Sequence, residues 1–101
     1  MRLIQLLLPL NDNNGQPLPA AKFSSVRDHL AERFGGITVY KQAPAEGLNK
    51  TGNSFERDHI IVFEVMSRDL QRRWWRKYRV SLEEEFRQHS IVIRAARVKL
   101  L

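Results

Sequence analysis

A carboxylate in the middle of an otherwise apolar run is the residue in this chain best suited to do chemistry. Glu64 stands within Asp58-His59-Ile60-Ile61-Val62-Phe63-Glu64-Val65-Met66. A carboxyl group taken out of water holds its proton more strongly and becomes useful for proton transfer. Tyr40, Lys41 and Arg94, on other segments, are its natural companions, and His59 shares its own segment. The candidate catalytic set is therefore Glu64, Tyr40 and His59. The more conservative account, which carries more weight, gives Glu64 to an inter-strand salt bridge or an interface hydrogen bond. Gln88 invites the same caution.

A second constellation is Arg72-Arg73-Trp74-Trp75-Arg76-Lys77-Tyr78-Arg79, where cations and aromatic rings interleave. That pattern binds phosphates and stacks bases, so Arg72, Arg73, Arg76, Lys77 and Arg79 form a candidate nucleic-acid or anion patch. Helical spacing offers a plainer explanation. Trp75 and Tyr78 project to one face with Trp74 at its edge, and the cations form the solvated side. Asp69 is spaced to pair with Arg72 and Arg73, and Glu83 with Arg79 and Arg87.

His29, His59 and His89 are scattered, with no His-x-x-x-His or His-x-x-Glu spacing, so no metal site is expected; only Asp58 beside His59 offers ligands to a distant partner. Gly47-Leu48-Asn49-Lys50-Thr51-Gly52 contains a Lys-Thr pair but lacks the order of a phosphate loop and does not lead from a strand into a helix. No cofactor motif occurs.

The totals narrow the classes. At 101 residues and 43% hydrophobic content, one domain spanning 1–101 is expected, with a thin core that pairing with a second copy would enlarge. The absence of cysteine excludes disulfides, thiolate metal sites and a cysteine nucleophile. The apolar start, Met1 to Leu10, is too short to cross a bilayer, which takes about 20 apolar residues, and it lacks the core and cleavage site of a signal peptide. A cytoplasmic bacterial protein is the default expectation, with no membrane partner. Net charge is +6, with six basic and four acidic residues in 1–50 against eleven and seven in 51–101. Most of the excess falls between Arg68 and Arg79.

These residues must be positioned by a small set of elements. Arg2 to Leu8 is apolar on both faces, as in a central strand, and Pro9 ends it. Asn11 to Gln16 is turn-rich. Pro19 suits a helix's first turn, after which Phe23, Val26, Leu30 and Phe34 form one stripe that Gly35-Gly36 terminates. Ile37 to Lys41 is β-branched and aromatic, a strand that Pro44 closes. Ala45 to Ser54 is expected to be a mobile loop or an extended hairpin tip, with the open question of whether it closes over a site. Asp58 to Met66 is the strongest strand, with Ile61, Phe63 and Val65 on one face and Ile60, Val62, Glu64 and Met66 on the other. Ser67 suits an N-cap for a helix from about Arg68 to Gln88. That helix buries Trp75, Tyr78, Leu82 and Phe86 and leaves Arg73, Lys77, Val80, Glu84 and Arg87 in water. Ser81-Leu82-Glu83-Glu84 has capping-box spacing, yet the stripe keeps its phase through it, favouring one continuous helix. Ile91 to Val98 is the last strand.

The order strand, helix, strand, strand, helix, strand is the βαββαβ unit of a ferredoxin-like α+β fold: a four-stranded antiparallel sheet with two helices on one face. That fold hosts many activities and names none. Its uncovered sheet face should alternate polar with apolar, but the first and third strands keep either Leu3 and Leu7 or Ile4, Leu6 and Leu8, with Ile60, Val62 and Met66 or Ile61, Phe63 and Val65. Such a patch marks an interface, and self-association through the open face follows, modestly ahead of a cover supplied by the chain's own loops. Nucleic-acid binding is the less favoured partner. RNA-binding members of this fold expose aromatics on the first and third strands, which here offer Phe63 alone.

Phe34-Gly35-Gly36-Ile37-Thr38, Val62-Phe63-Glu64-Val65 and Phe86-Arg87-Gln88-His89-Ser90-Ile91-Val92-Ile93 resemble landmarks of small bacterial proteins of unknown function, of ferredoxin-like or dimeric α+β barrel type. The resemblance spans most of the chain after Ala20. It implies the same fold and association through the sheet, and it supplies no catalytic residue. In barrel enzymes of this type, such as small monooxygenases, a histidine or asparagine sits inside the barrel, and no residue here matches it. The expectation is thus a homodimeric binding or interaction domain. A cofactor-less enzyme acting on a small molecule through Glu64, Tyr40 or His59 is the first alternative, and a basic nucleic-acid-binding module the second.

Overall fold

The computed structural model describes the backbone of residues 1–51 and 54–101, and the side chains of residues 1–40 and 59–101. The elements are β1 (Arg2–Pro9), α1 (Ala20–Phe34), β2 (Thr38–Thr51), β3 (Ser54–Ser67), α2 (Arg72–Glu85) and β4 (Val92–Arg97). The strands form one antiparallel sheet in the order β2-β3-β1-β4, which is the ferredoxin-like arrangement. β1 is central, as its two-sided apolarity requires.

Both helices cover the same sheet face. Ile4, Leu6 and Leu8 of β1 and Ile61, Phe63 and Val65 of β3 form one buried cluster with Phe23, Val26 and Leu30 of α1, Trp75 and Leu82 of α2, and Phe86 and Ile91 beyond it. Alternation along each strand sends Leu3, Gln5 and Leu7, and Ile60, Val62, Glu64 and Met66, to the other side. The helices are fastened to each other by the edge-on contact of Phe23 with Phe86, centroids 5.2 Å apart, and by Lys22 Nζ donating to the Glu85 carbonyl at 2.7 Å. Among the described residues no helix is long and apolar enough to cross a membrane.

Gly35 takes φ 78° and returns its N–H to Ala31 O, so the glycine-terminated end of α1 is as expected. Pro19 is the N-cap rather than a first-turn residue. Three further boundaries differ. Ser67 does not cap α2; its hydroxyl donates to the Asp69 carbonyl, and the chain turns through Gln71 at φ 53° before the helix begins at Arg72. A local hydrogen bond of serine competes with the helical start. α2 runs unbroken past Ser81 but ends at Glu85, short of Gln88. Arg87, at φ 50°, reverses the chain, and Gln88 Nε2 then holds the carbonyls of Asn11 and Phe86 at 2.7 and 3.0 Å. Finally, Pro44 does not close β2. The backbone of Ala45–Thr51 pairs with Ser54–Ile60 after a register shift between Tyr40 and Ala45, so a bulge accommodates the proline and the hairpin extends where a loop is the other expectation. Whether its tip closes over a site lies outside the described side chains.

The expected ion pairs of α2 do not form. Among the described residues the salt bridge present joins Arg27 and Asp28. Glu83 instead accepts the Ile91 N–H at 2.9 Å, tying the start of β4 to α2.

Candidate functional site

β1 is the hub of the site because it lies between β3 and β4. In its registers Gln5 stands opposite Glu64 on one side and opposite Arg94 on the other. Directly opposed residues point to the same face, here the one the helices leave bare. Arg94 Nε donates to Gln5 Oε1 at 2.9 Å, and Gln5 Nε2 donates to Glu64 Oε1 at 2.9 Å. The Tyr40 hydroxyl donates to Glu64 Oε2 at 3.1 Å, reaching it diagonally from its place opposite Val62. One hydrogen-bonded chain, Tyr40–Glu64–Gln5–Arg94, thus crosses all four strands.

Among the described residues each carboxylate oxygen of Glu64 has one donor, which fixes the group's direction. The hydrogen bond from Tyr40 to Glu64, aided by the carboxylate's negative charge and a little burial, raises the Tyr40 phenol above its ordinary value. The phenol therefore stays a donor across the neutral range. Arg94 reaches Glu64 only through Gln5, so the expected direct salt bridge is replaced by an amide relay. Around this polar line the face is greasy. Leu3, Leu7, Ile60 and Val62 are half-buried, while Tyr40, Met66 and Val92 are 46, 47 and 53% exposed.

A cleft of about 330 Å³ opens beside Glu64, lined by Phe34, Gly35, Gly36, Thr38, Glu64 and Met66 among others. Its origin is a mismatch of strand lengths. β2 begins at Thr38 opposite Glu64, whereas β3 continues to Ser67, so the last turn of the αβ connection borders an uncovered strand edge.

Of the candidate residues, Glu64 and Tyr40 are brought together and His59 is not. His59 is exposed and stands five residues before Glu64 on β3, about 17 Å along an extended strand. Lys41 lies outside the described side chains. Gln5 is the member that sequence reasoning missed. Its signal was present, as the one polar residue between Ile4 and Leu6 in an apolar strand, but only the register shows that it bridges Glu64 and Arg94.

Arg72, Arg73, Arg76, Lys77 and Arg79 of the basic patch are all exposed. Its aromatics are engaged elsewhere: Trp75 is buried and stacked on Phe34 at 5.3 Å, and Trp74 packs against Tyr78 at 4.9 Å with the Arg33 guanidinium 4.0 Å from its ring. His29 completes this stack at 6.0 Å from Trp74. Burial, with a smaller contribution from Glu85, pushes the Tyr78 phenol up to about 12. Among the described residues there is no group of three or more His, Cys, Asp or Glu able to hold a metal ion.

Two solved structures of phage SAM lyase share this fold. One, in complex with S-methyl-5′-thioadenosine, aligns over 94% of this chain and 79% of that one, with TM-score 0.65 and 10% identity. The other, in the apo state, aligns over 94% and 78%, with TM-score 0.62 and 13% identity. At such identities the likeness is one of fold. No protein-family model matches the sequence, and no curated protein does.

Proposed function

We propose that this chain is a cofactor-independent enzyme that binds a sulfonium nucleoside of the SAM class beside Glu64, its site completed when a second copy covers the open sheet face. The observation that carries this reading is the Glu64 carboxylate, held by Tyr40 and Gln5 within an apolar surface and bordering a cleft. A fixed anion next to an aromatic ring and a thioether (Tyr40 and Met66) suits a soft cation better than it suits a metal or a phosphate. The bound nucleoside of the phage SAM lyase supplies the ligand class.

In a lyase reaction giving S-methyl-5′-thioadenosine, the bond between sulfur and the amino-acid side chain breaks and its electron pair stays on sulfur, which becomes a neutral thioether. As that bond breaks, the carboxylate of the amino-acid fragment closes on the carbon that sulfur leaves, so the new C–O bond replaces the C–S bond and no base or cofactor is consumed. Glu64 is assigned to hold the cation, with Tyr40 and Gln5 fixing its direction. Apolar surroundings strengthen that contact by excluding water.

Incubation with SAM, followed by chromatography for S-methyl-5′-thioadenosine, tests the proposal. The product should form, and Glu64→Gln should lower its rate by about 100-fold or more while leaving the fold intact, a loss typical of a charged group in the reacting site. Ligand binding without turnover would return the chain to the class of binding domains, and neither binding nor turnover would reject the site.

A further inference from the structure

The end of the sheet at the start of β1 carries a cluster of positive charge that the proposed reaction does not use. Arg2 stands directly opposite Arg97 in the β1–β4 register and opposite Ser67 in the β1–β3 register. Arg68 follows Ser67, and the Val98 N–H donates to the Met1 carbonyl at 3.0 Å, which keeps the segment after β4 against β1 and brings Lys99 to the same place. Arg2, Arg68, Arg97 and Lys99 together line a basin of about 500 Å³.

One feature is costly unless something negative occupies that basin, and a second leaves its cations available to such an occupant. Like charges directly opposed on neighbouring strands destabilise the pair, and the Arg2–Arg97 opposition is of this kind. Among the described residues, moreover, none of the four cations has a carboxylate partner within salt-bridge distance. The backbone of the β2–β3 hairpin lies toward the far end of the sheet, since β1 passes from Arg2 opposite Ser67 to Pro9 opposite Ile60.

We infer that this basin is a binding site for a small phosphate-bearing molecule, with the guanidinium groups of Arg2, Arg68 and Arg97 as its ligands. Guanidinium forks match phosphate oxygens in pairs, and three of them with a lysine call for a ligand of more than one negative charge. The volume admits a molecule of nucleotide size. This site is separate from Glu64 and stands or falls independently of the reaction proposed there.

Calorimetric titration of the whole protein with inorganic pyrophosphate, at low and at physiological ionic strength, tests the inference. Wild type should bind it, and the Arg2→Gln/Arg97→Gln double variant should bind about tenfold or more weakly, the loss expected for charge-assisted contacts. Arg97→Gln alone should melt no lower than wild type without pyrophosphate, because the like-charge opposition is relieved, and should gain less stability when pyrophosphate is added. Absence of binding overturns the site. So does binding that survives the double variant but fails in Arg73→Glu/Lys77→Glu, which would place the anion on α2. An oligonucleotide that binds more tightly than pyrophosphate, and through the same two arginines, overturns the assignment to a small ligand.

Discussion

Glu64 illustrates how little of a functional group's behaviour resides in the residue alone. Among the described residues its carboxylate is directed by two neutral donors, one from a strand on each side, while the Arg94 guanidinium is one residue removed behind Gln5. Replacing Gln5 by Leu should therefore leave Glu64 with Tyr40 alone and disconnect Arg94. Binding of the SAM cation should weaken by about tenfold, the worth of one charge-assisted hydrogen bond, and the KM for SAM with and without the substitution checks it. The phenols give a second test. The chain has two tyrosines, both raised in the folded protein, Tyr40 by Glu64 and Tyr78 by burial to about 12. An ultraviolet alkaline titration should show both ionising above free tyrosine, and Glu64→Gln should bring only Tyr40 back toward its ordinary value. Because the folded value of Tyr78 exceeds the unfolded one, its neutral form favours folding below about pH 10, and that contribution disappears as pH climbs through about 12. The melting difference between wild type and Tyr78→Phe should accordingly shift against wild type over that interval.

Elements were legible where one periodicity dominated. The stripes of α1 and α2 identify their buried faces because Phe23, Val26, Leu30, Trp75, Leu82 and Phe86 repeat at helical spacing and nothing competes. Alternation along β3 separates Ile61, Phe63 and Val65 from Glu64 in the same way. Boundaries were less legible, since each is decided by a contest among short-range hydrogen bonds. Ser67 has the chemistry of a cap but spends its hydroxyl on Asp69, and Pro44 lacks an N–H yet is carried within β2 by a shift of register. Of the candidate site, the carboxylate and the phenol were visible and the amide between Glu64 and Arg94 was not, because pairing partners across strands are not written in a single segment. The packing itself predicts that Leu82→Ala, at a fully enclosed position, costs about 2–5 kcal/mol, read from denaturant melts. Gly35→Ala meets open space but must adopt φ 78°, so it should cost only about 1 kcal/mol.

At the scale of the molecule, the governing imbalance is between the two sides of the sheet. One is covered by helices; the other presents Leu3, Leu7, Ile60, Val62, Met66 and Val92 around a single hydrogen-bonded line. An apolar surface of this kind is reduced by pairing, and pairing would also enclose Glu64 and exclude water from it. A lysine at position 62, beside the polar line and opposite Tyr40, should oppose association by placing a charge where two faces meet, without entering the helix-side core. The most direct measurement is a titration of S-methyl-5′-thioadenosine into wild type and Val62→Lys, with the mass of each species followed by sedimentation. Wild type should associate and bind the nucleoside, whereas Val62→Lys should be monomeric, folded and unable to bind it. A wild-type protein that stays monomeric at high concentration, or a monomeric Val62→Lys that binds the nucleoside undiminished, would contradict a site shared between copies.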